Sequence, residues 1–535
     1  MKKIKLFAIA LIAVIAAGLA SSCVKDLNVT PIDPNTTLPE DVLNSQDAFT
    51  QLLAKCYQGL CSSSSYGPSG DPDIKKIDGG YGQYFRAVVN MQELSTDVCA
   101  CCWNDQTLFD IHNMCWTPTD VFIQSMYSRI FYQVSICNEM IRQSKATEIS
   151  GYNNKEQYIA EARALRAFSY YHAIDMFANV PFSDETSSVG SVGGEQKSRA
   201  DLFTWLVEEC QDLLSSGSAL PAPGQAEYGR ADQGMVQMIL AKLYLNAEIW
   251  AGQSMYKECA DICAKIIAEY PLHDNYEDLF LADNDLWVKC STKSAGDEII
   301  FVAPQDGEML QSYGSTNYLV FGSTFAVTGN DAKTMDAAYM GISSGWSGLS
   351  LTGTFTSKFQ EFDNRALFFK GGFEQYISAV RDAEGASEGW KSMKFRNVNH
   401  DGTAAKAQGF VDVDFPVFRS ADAYLMYAEC AARGAAGVDK TLGQQYLNAV
   451  SNRSNAGNLD LTLSNIIDER GRELYFEGFR RQDLIRFGLF TTGDYLWEFK
   501  GGVQNGQAVD SHFNIYPIIS SDLNANGNLV QNPGY

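Results

Sequence analysis

Apolar residues recur at spacings of three and four through several long windows, the period of a helix with one buried face. In residues 156–179, Leu165, Phe168, His172 and Met176 fall on such a stripe. This predicts a long helix in which His172 is a core histidine rather than a ligand. Residues 233–250 and 255–269 predict a helical hairpin, broken at Ala251-Gly252 and closed by Pro271. Residues 421–433 with 441–453 predict another, and 201–214 with the helix before it a third. Leu243, Ala247, Trp250, Cys259 and Pro271 form a degenerate tetratricopeptide-repeat pattern, although generic hairpins fit the same spacing. Single hairpins of this kind cannot bury their faces alone, so they are expected to stack. Short β-type runs stand at 298–303 and 318–325. Long Gly- and Ser-rich segments at 62–80, 183–198, 341–357 and 382–408 read as loops, of a length usually kept for function.

The N-terminus has a different pattern. Lys2, Lys3 and Lys5 precede an apolar run from Leu6 to Ala20, followed by Ser21-Ser22-Cys23. A basic end, a short apolar core and small residues predict a secretory leader over 1–22, too short for a stable membrane span. Cys23 at the cut point predicts a lipobox, with the thiol acylated. Ala20 departs from the usual Leu, and a plain leader with a chance Cys is the alternative. An extended tether over 23–45 and one helical domain over 46–535 complete the expected organisation. The expectation from these residues is an exported protein held to a membrane by lipid.

Composition narrows the function. The chain has 535 residues, with 41 basic and 64 acidic, a formal charge of −23. Such acidity excludes nucleic acid, whose phosphates need a basic face. Aromatic residues make up 12%, enough for some to serve recognition. Trp346 in Gly345-Trp346-Ser347, Tyr313 in Ser312-Tyr313-Gly314, and Trp103 beside Asn104-Asp105 all sit among small or polar residues. Rings in that setting suit a sugar, whose C–H face stacks while its hydroxyls meet a polar rim. Taken singly, each ring is also explained by ordinary packing. No nucleophile elbow, phosphate loop, dinucleotide fingerprint or zinc-protease motif is present. The cysteines, crowded at Cys99, Cys101, Cys102 and Cys115, lack zinc spacing and are expected to be mainly free or buried thiols.

Residues 467–488, Ile-Asp-Glu-Arg-Gly-Arg-Glu-Leu-Tyr-Phe-Glu-Gly-Phe-Arg-Arg-Gln-Asp-Leu-Ile-Arg-Phe-Gly, resemble the signature of the SusD/RagB family of surface glycan-binding lipoproteins. The run 161–167, Gly229-Arg230-Ala231-Asp232 and the ending from Tyr516-Pro517 to Pro533-Gly534-Tyr535 are similar to that family as well. Glu469, Glu473 and Glu477 form a like-charged i, i+4 column, which predicts an ion-pair network with Arg470, Arg472, Arg480, Arg481 and Arg486. The resemblance implies a mostly α, SusD-like fold, with four tetratricopeptide-like hairpins supporting a loop-rich ligand face. It implies binding without cleavage, no required cofactor, and delivery of starch or a related α-glucan to a SusC-like TonB-dependent barrel. A non-glucan polysaccharide or a peptide, as in RagB-type members, is the alternative cargo. Carried over by local motif, the ligand-binding residues are Arg86, Trp103, Gln106, Tyr313 and Trp346, with Cys101 where the starch-binding branch has a further ring. A structural calcium is implied at Asp285, Asp412 and Asp414, where solvated surface acids are the alternative.

Overall fold

The structure is a computed structural model that describes residues 42–187, 190, 193–287, 298–326, 329–381 and 388–535. The leader, Cys23 and the tether as far as residue 41 lie outside the described residues.

Helices dominate. The first half carries α1 (Gln46–Cys61), α2 (Tyr84–Gln92), α3 (Gln106–His112), α4 (Val121–Ala146), α5 (Lys155–Met176), α6 (Arg199–Leu213), α7 (Gln233–Ala251) and α8 (Tyr256–Glu269). After a loop-rich stretch containing α9 (Ser315–Ser323) come α10 (Ser420–Ala432), α11 (Lys440–Arg453), α12 (Leu463–Leu474), α13 (Arg480–Arg486) and α14 (Ser520–Ala525). Packing follows the chain: α4 on α5, α5 on α6, α6 on α7, α7 on α8, then α8 on α10 and α10 on α11. Each helix thus covers the apolar stripe of its neighbour, as stacked hairpins require. The predicted break at Ala251-Gly252 is real. Gly252 takes a left-handed conformation at φ 68° and its N–H closes on the carbonyls of Ala247 and Glu248. At the other end of α7, Asp232 accepts the Met235 N–H as a cap.

Strands are short and form antiparallel pairs: β1 (Cys99–Cys101) with β5 (Leu349–Leu351), β2 (Val180–Pro181) with β3 (Gln196–Lys197), β4 (Ile299–Ala303) with β8 (Phe415–Arg419), and β6 (Phe368–Phe369) with β7 (Lys391–Ser392). The run at 318–325 is not a strand; most of it belongs to α9, whose nine residues are all buried. Burial on every side removes the helical period from the sequence, which leaves only an aromatic, β-branched run. His172 is a core histidine, its Nδ1 3.0 Å from the Tyr84 hydroxyl. Burial, with Lys242 nearby, pushes its pKa down to about 3. The described cysteines are free thiols, buried except for Cys115.

The acidic signature is an ion-pair network, but its main partners differ from those expected. Arg365 holds Glu469 at 2.7 Å and Glu473 at 3.0 Å, while Arg419 bridges Glu473 and Glu477. Arg453 and Lys394 add pairs to Glu473 and Glu477. Of the neighbouring arginines only Arg472 joins the column, through Glu469 at 2.7 Å. Arg470 and Arg486 pair instead with Asp483, and Arg480 with Asp97. Arg481 donates to the Asn514 carbonyl. The helix ends at Leu474, so Glu477 lies beyond it and turns back through Phe476 at φ 64°. Burial alone would raise the pKa of Glu473, yet Arg453, Arg419 and Arg365 together hold it well below the usual range.

Candidate functional site

Three loop rings lie in a row. The Trp103 and Trp346 centroids are 6.4 Å apart, and Trp346 and Tyr313 are 6.1 Å apart, with tilts of 51° and 59°. All three are half-buried, so part of each ring faces solvent. Phe410 extends the row, 5.4 Å from Tyr313. Sequence reasoning missed it, although its place between Gly409 and Val411 in a loop gives it a setting close to that of Trp346.

The row is held from below by α9. The Trp346 N–H donates to the Phe321 carbonyl at 2.7 Å, Ser347 N–H to Thr324 at 3.1 Å, and Gly348 N–H to Gly322 at 2.8 Å. The Trp103 indole N–H donates to the Trp346 carbonyl at 3.0 Å, and Cys102 N–H to the Gly348 carbonyl at 2.9 Å. Small residues are needed for this contact. A Cβ at Gly345 would stand 2.0 Å from the Thr324 carbonyl oxygen, and one at Gly348 would meet the Trp103 ring at 2.6 Å. Cys101, on β1, is buried beneath this surface and places no group on it.

Arg86, near the start of α2, sits under the row. Its guanidinium lies 4.3 Å from the Tyr318 ring centroid and 5.8 Å from that of Trp103. One Nη1–H donates to the Tyr313 carbonyl at 3.0 Å, and its buried Nε has no partner. Burial lowers its pKa, though not enough to remove the charge of a guanidinium. The arrangement offers flat apolar faces above a cation that holds the Tyr313 backbone in place.

Gln106 starts the helix that follows Trp103. It is exposed at the start of α3, and its amide is engaged on both sides: Nε2 donates to Asp110 at 2.7 Å and Oε1 accepts from Arg381 at 3.1 Å.

Asp285, Asp412 and Asp414 line one acidic cavity of about 550 Å³ together with Asp283, Asp306 and Asp401. The Asp412 oxygens accept from the Gly307 and Lys406 N–H groups at 2.8 and 2.7 Å. Asp414 accepts from Gln305 N–H at 2.7 Å and from the Tyr228 hydroxyl. Burial, with Asp285 and Asp412 nearby, pushes the Asp414 pKa up to about 7. Among the described residues, no three such side chains are gathered to hold a metal ion. The geometry makes Asp412 and Asp414 acceptors for the loop backbone around this acidic cavity.

The comparisons with known proteins agree with this architecture. The sequence profile of the SusD family matches residues 345–535. The starch-binding protein SusD of Bacteroides thetaiotaomicron is 32% identical, with 99% of this chain and 98% of that protein covered. SusD-like protein P25 of Formosa agariphila is 23% identical over 94% of this chain and 95% of its own. Among solved structures, a surface glycan-binding protein A from Bacteroides thetaiotaomicron in complex with laminarihexaose superposes with a TM-score of 0.66 at 20% identity. That superposition covers 91% of this chain and 99% of the other. The superposition shows the fold, and the two Bacteroides thetaiotaomicron proteins are themselves named for binding starch or glycan. The chain belongs to the SusD family.

Proposed function

We propose that this protein binds starch or a related α-glucan at the outer surface of the cell and passes it, uncleaved, to a SusC-like TonB-dependent transporter. The observation that carries the reading is the half-exposed row of Trp103, Trp346 and Tyr313 above Arg86. Tilted successive rings suit a curved chain better than a flat ribbon, because each sugar face must find a ring turned from the last. The likeness to a protein named for starch supports the α-glucan choice. Anchoring is assigned to Cys23, outside the described residues; no helix among those described is long and apolar enough to cross a membrane.

Affinity electrophoresis tests the binding reading. Amylose and pullulan are expected to retard the wild type, and a flat β-1,4-glucan of equal length to retard it less. Each stacked ring buries on the order of 50–100 Å², or about 1–2 kcal/mol, so binding falls in the micromolar to millimolar range. No retardation by any α-glucan overturns the assignment and leaves a different polysaccharide or a peptide as cargo.

A further inference from the structure

Beyond Tyr313 the surface continues. The Tyr313 hydroxyl lies 3.3 Å from Ser69 Oγ, which ties the end of the ring row to the loop following α1. The chain leading into Tyr313 passes through Met309, Leu310 and Gln311, which form one wall of a cleft of about 360 Å³. The other wall is α1, through Gln51, Ala54 and Gln58, with Ser62, Ser64 and Ser65 at one end. A second cleft of about 400 Å³ shares Ala54, Gln58 and Leu310 with the first, so the two are continuous. It adds Tyr57, Tyr228 and Leu53, and its lining is mainly apolar.

Two large side chains at this end stand almost fully in solvent. Met309 is 86% exposed and Tyr66 84% exposed. Tyr66 lies between Ser65 and Gly67, both of which line the first cleft, and Met309 lies on the opposite wall. An exposed ring and an exposed thioether beside hydroxyls and amides give apolar surface with a polar rim, the two things a sugar contact needs. Four peptide units separate Met309 from Tyr313, a reach of at most about 14 Å, so the cleft lies within a short run of sugar rings of the last stacking residue.

We infer that the glycan surface extends from Tyr313 past Ser69 into the cleft between α1 and the Met309–Gln311 strip, where further sugars of the same chain are held. This rests on the proposed α-glucan reading and deepens it. The row recognises a short segment by stacking, and the cleft adds contacts that only a longer chain reaches. The protein therefore selects long glucans over short ones, which the row alone does not.

Isothermal titration of maltotriose and maltoheptaose against wild type, Met309→Ala and Ala54→Leu tests this. Both substitutions fall at exposed positions, so the fold is retained, and thermal melts check it. Ala54→Leu narrows the cleft from the helix side, while Met309→Ala trims the opposite wall. The ratio of heptaose to triose affinity is expected to fall about threefold or more in each variant. Trp346→Ala, in contrast, weakens both lengths. If both cleft variants keep the wild-type ratio while Trp346→Ala abolishes binding, the extension is wrong and the row stands. If the wild type binds neither oligosaccharide, the glucan reading and this extension fall together.

Discussion

Arg86 does two things at the scale of a single residue. Its planar cation lies beneath the aromatic surface, and its Nη1–H fixes the backbone of Tyr313. The sequence motif marks it only as a ligand-binding residue, and a hydrogen bond to a sugar hydroxyl is one that water would partly replace. The structure adds a positioning role. Arg86→Ala is therefore expected to weaken amylose binding about as much as Trp346→Ala, on the order of tenfold, rather than by a single hydrogen bond. Arg86→Lys keeps the charge without the planar fork and should recover only part of the affinity. Titration of both variants against amylose checks the order; Arg86→Ala with wild-type affinity would remove Arg86 from the site.

Asp414 gives a residue-scale prediction about stability. Burial raises its carboxyl to about 7 in the folded chain, against an ordinary value of 3.8. The folded state then holds the proton more tightly than the unfolded chain. Its contribution is fully present below about pH 4 and is lost as the pH rises through about 7. Asp414→Asn keeps an acceptor for Gln305 and offers a donor to the Tyr228 oxygen. Its melting temperature should exceed that of wild type at pH 8, with the difference shrinking toward pH 5. An equal difference at both values would show that Asp414 does not titrate as described.

At the scale of elements, the ring row is a docked loop rather than a flexible one, since Trp346, Ser347 and Gly348 all donate to the end of α9. Gly348→Ala would push a methyl group into the Trp103 ring. Because that ring is half-exposed, it can move without opening the core, so the thermal midpoint should hold within a few degrees while glucan affinity falls several-fold. A parallel loss of both would mean that the loop is part of the core. Elements also separate what was legible from what was not. Hairpins at 233–269 and 421–453 are plain in the sequence because their outer helices, α8 and α11, bury one face and expose the other, although α7 and α10 are buried almost throughout. α9 is not, because all its residues are buried and its period vanishes. The glutamates of the signature are recognisable as paired, but Arg365 and Arg419 reach them from over fifty residues away, which no local spacing reveals. For the site, Trp103, Tyr313 and Trp346 stand out by their polar settings and do assemble. Gln106 has a fitting residue type, yet its amide is taken by Asp110 and Arg381.

For the whole molecule, anchoring and binding occupy opposite requirements of exposure. A weak binder is useful only where the local concentration of the transporter is high, and a lipid at the end of a tether supplies that without a large protein interface. One acyl chain alone gives marginal membrane affinity, whereas the several chains of a lipoprotein anchor hold firmly. Lys2, Lys3 and Lys5, the apolar run and Cys23 fit that use, and the net charge of −23 disfavours direct adhesion to an anionic surface. Cys23→Ala is therefore expected to leave the protein soluble in the periplasm or uncleaved, with its glucan affinity intact once purified. Wild type should be degraded by protease added to whole cells, because Lys25-Asp26 after the cysteine resembles a surface export tag. Fractionation of cells lacking the proposed SusC-like barrel separates the anchor from the barrel as the cause of retention. If Cys23→Ala remains in the outer-membrane fraction at wild-type level in those cells, something other than acylation holds the protein there.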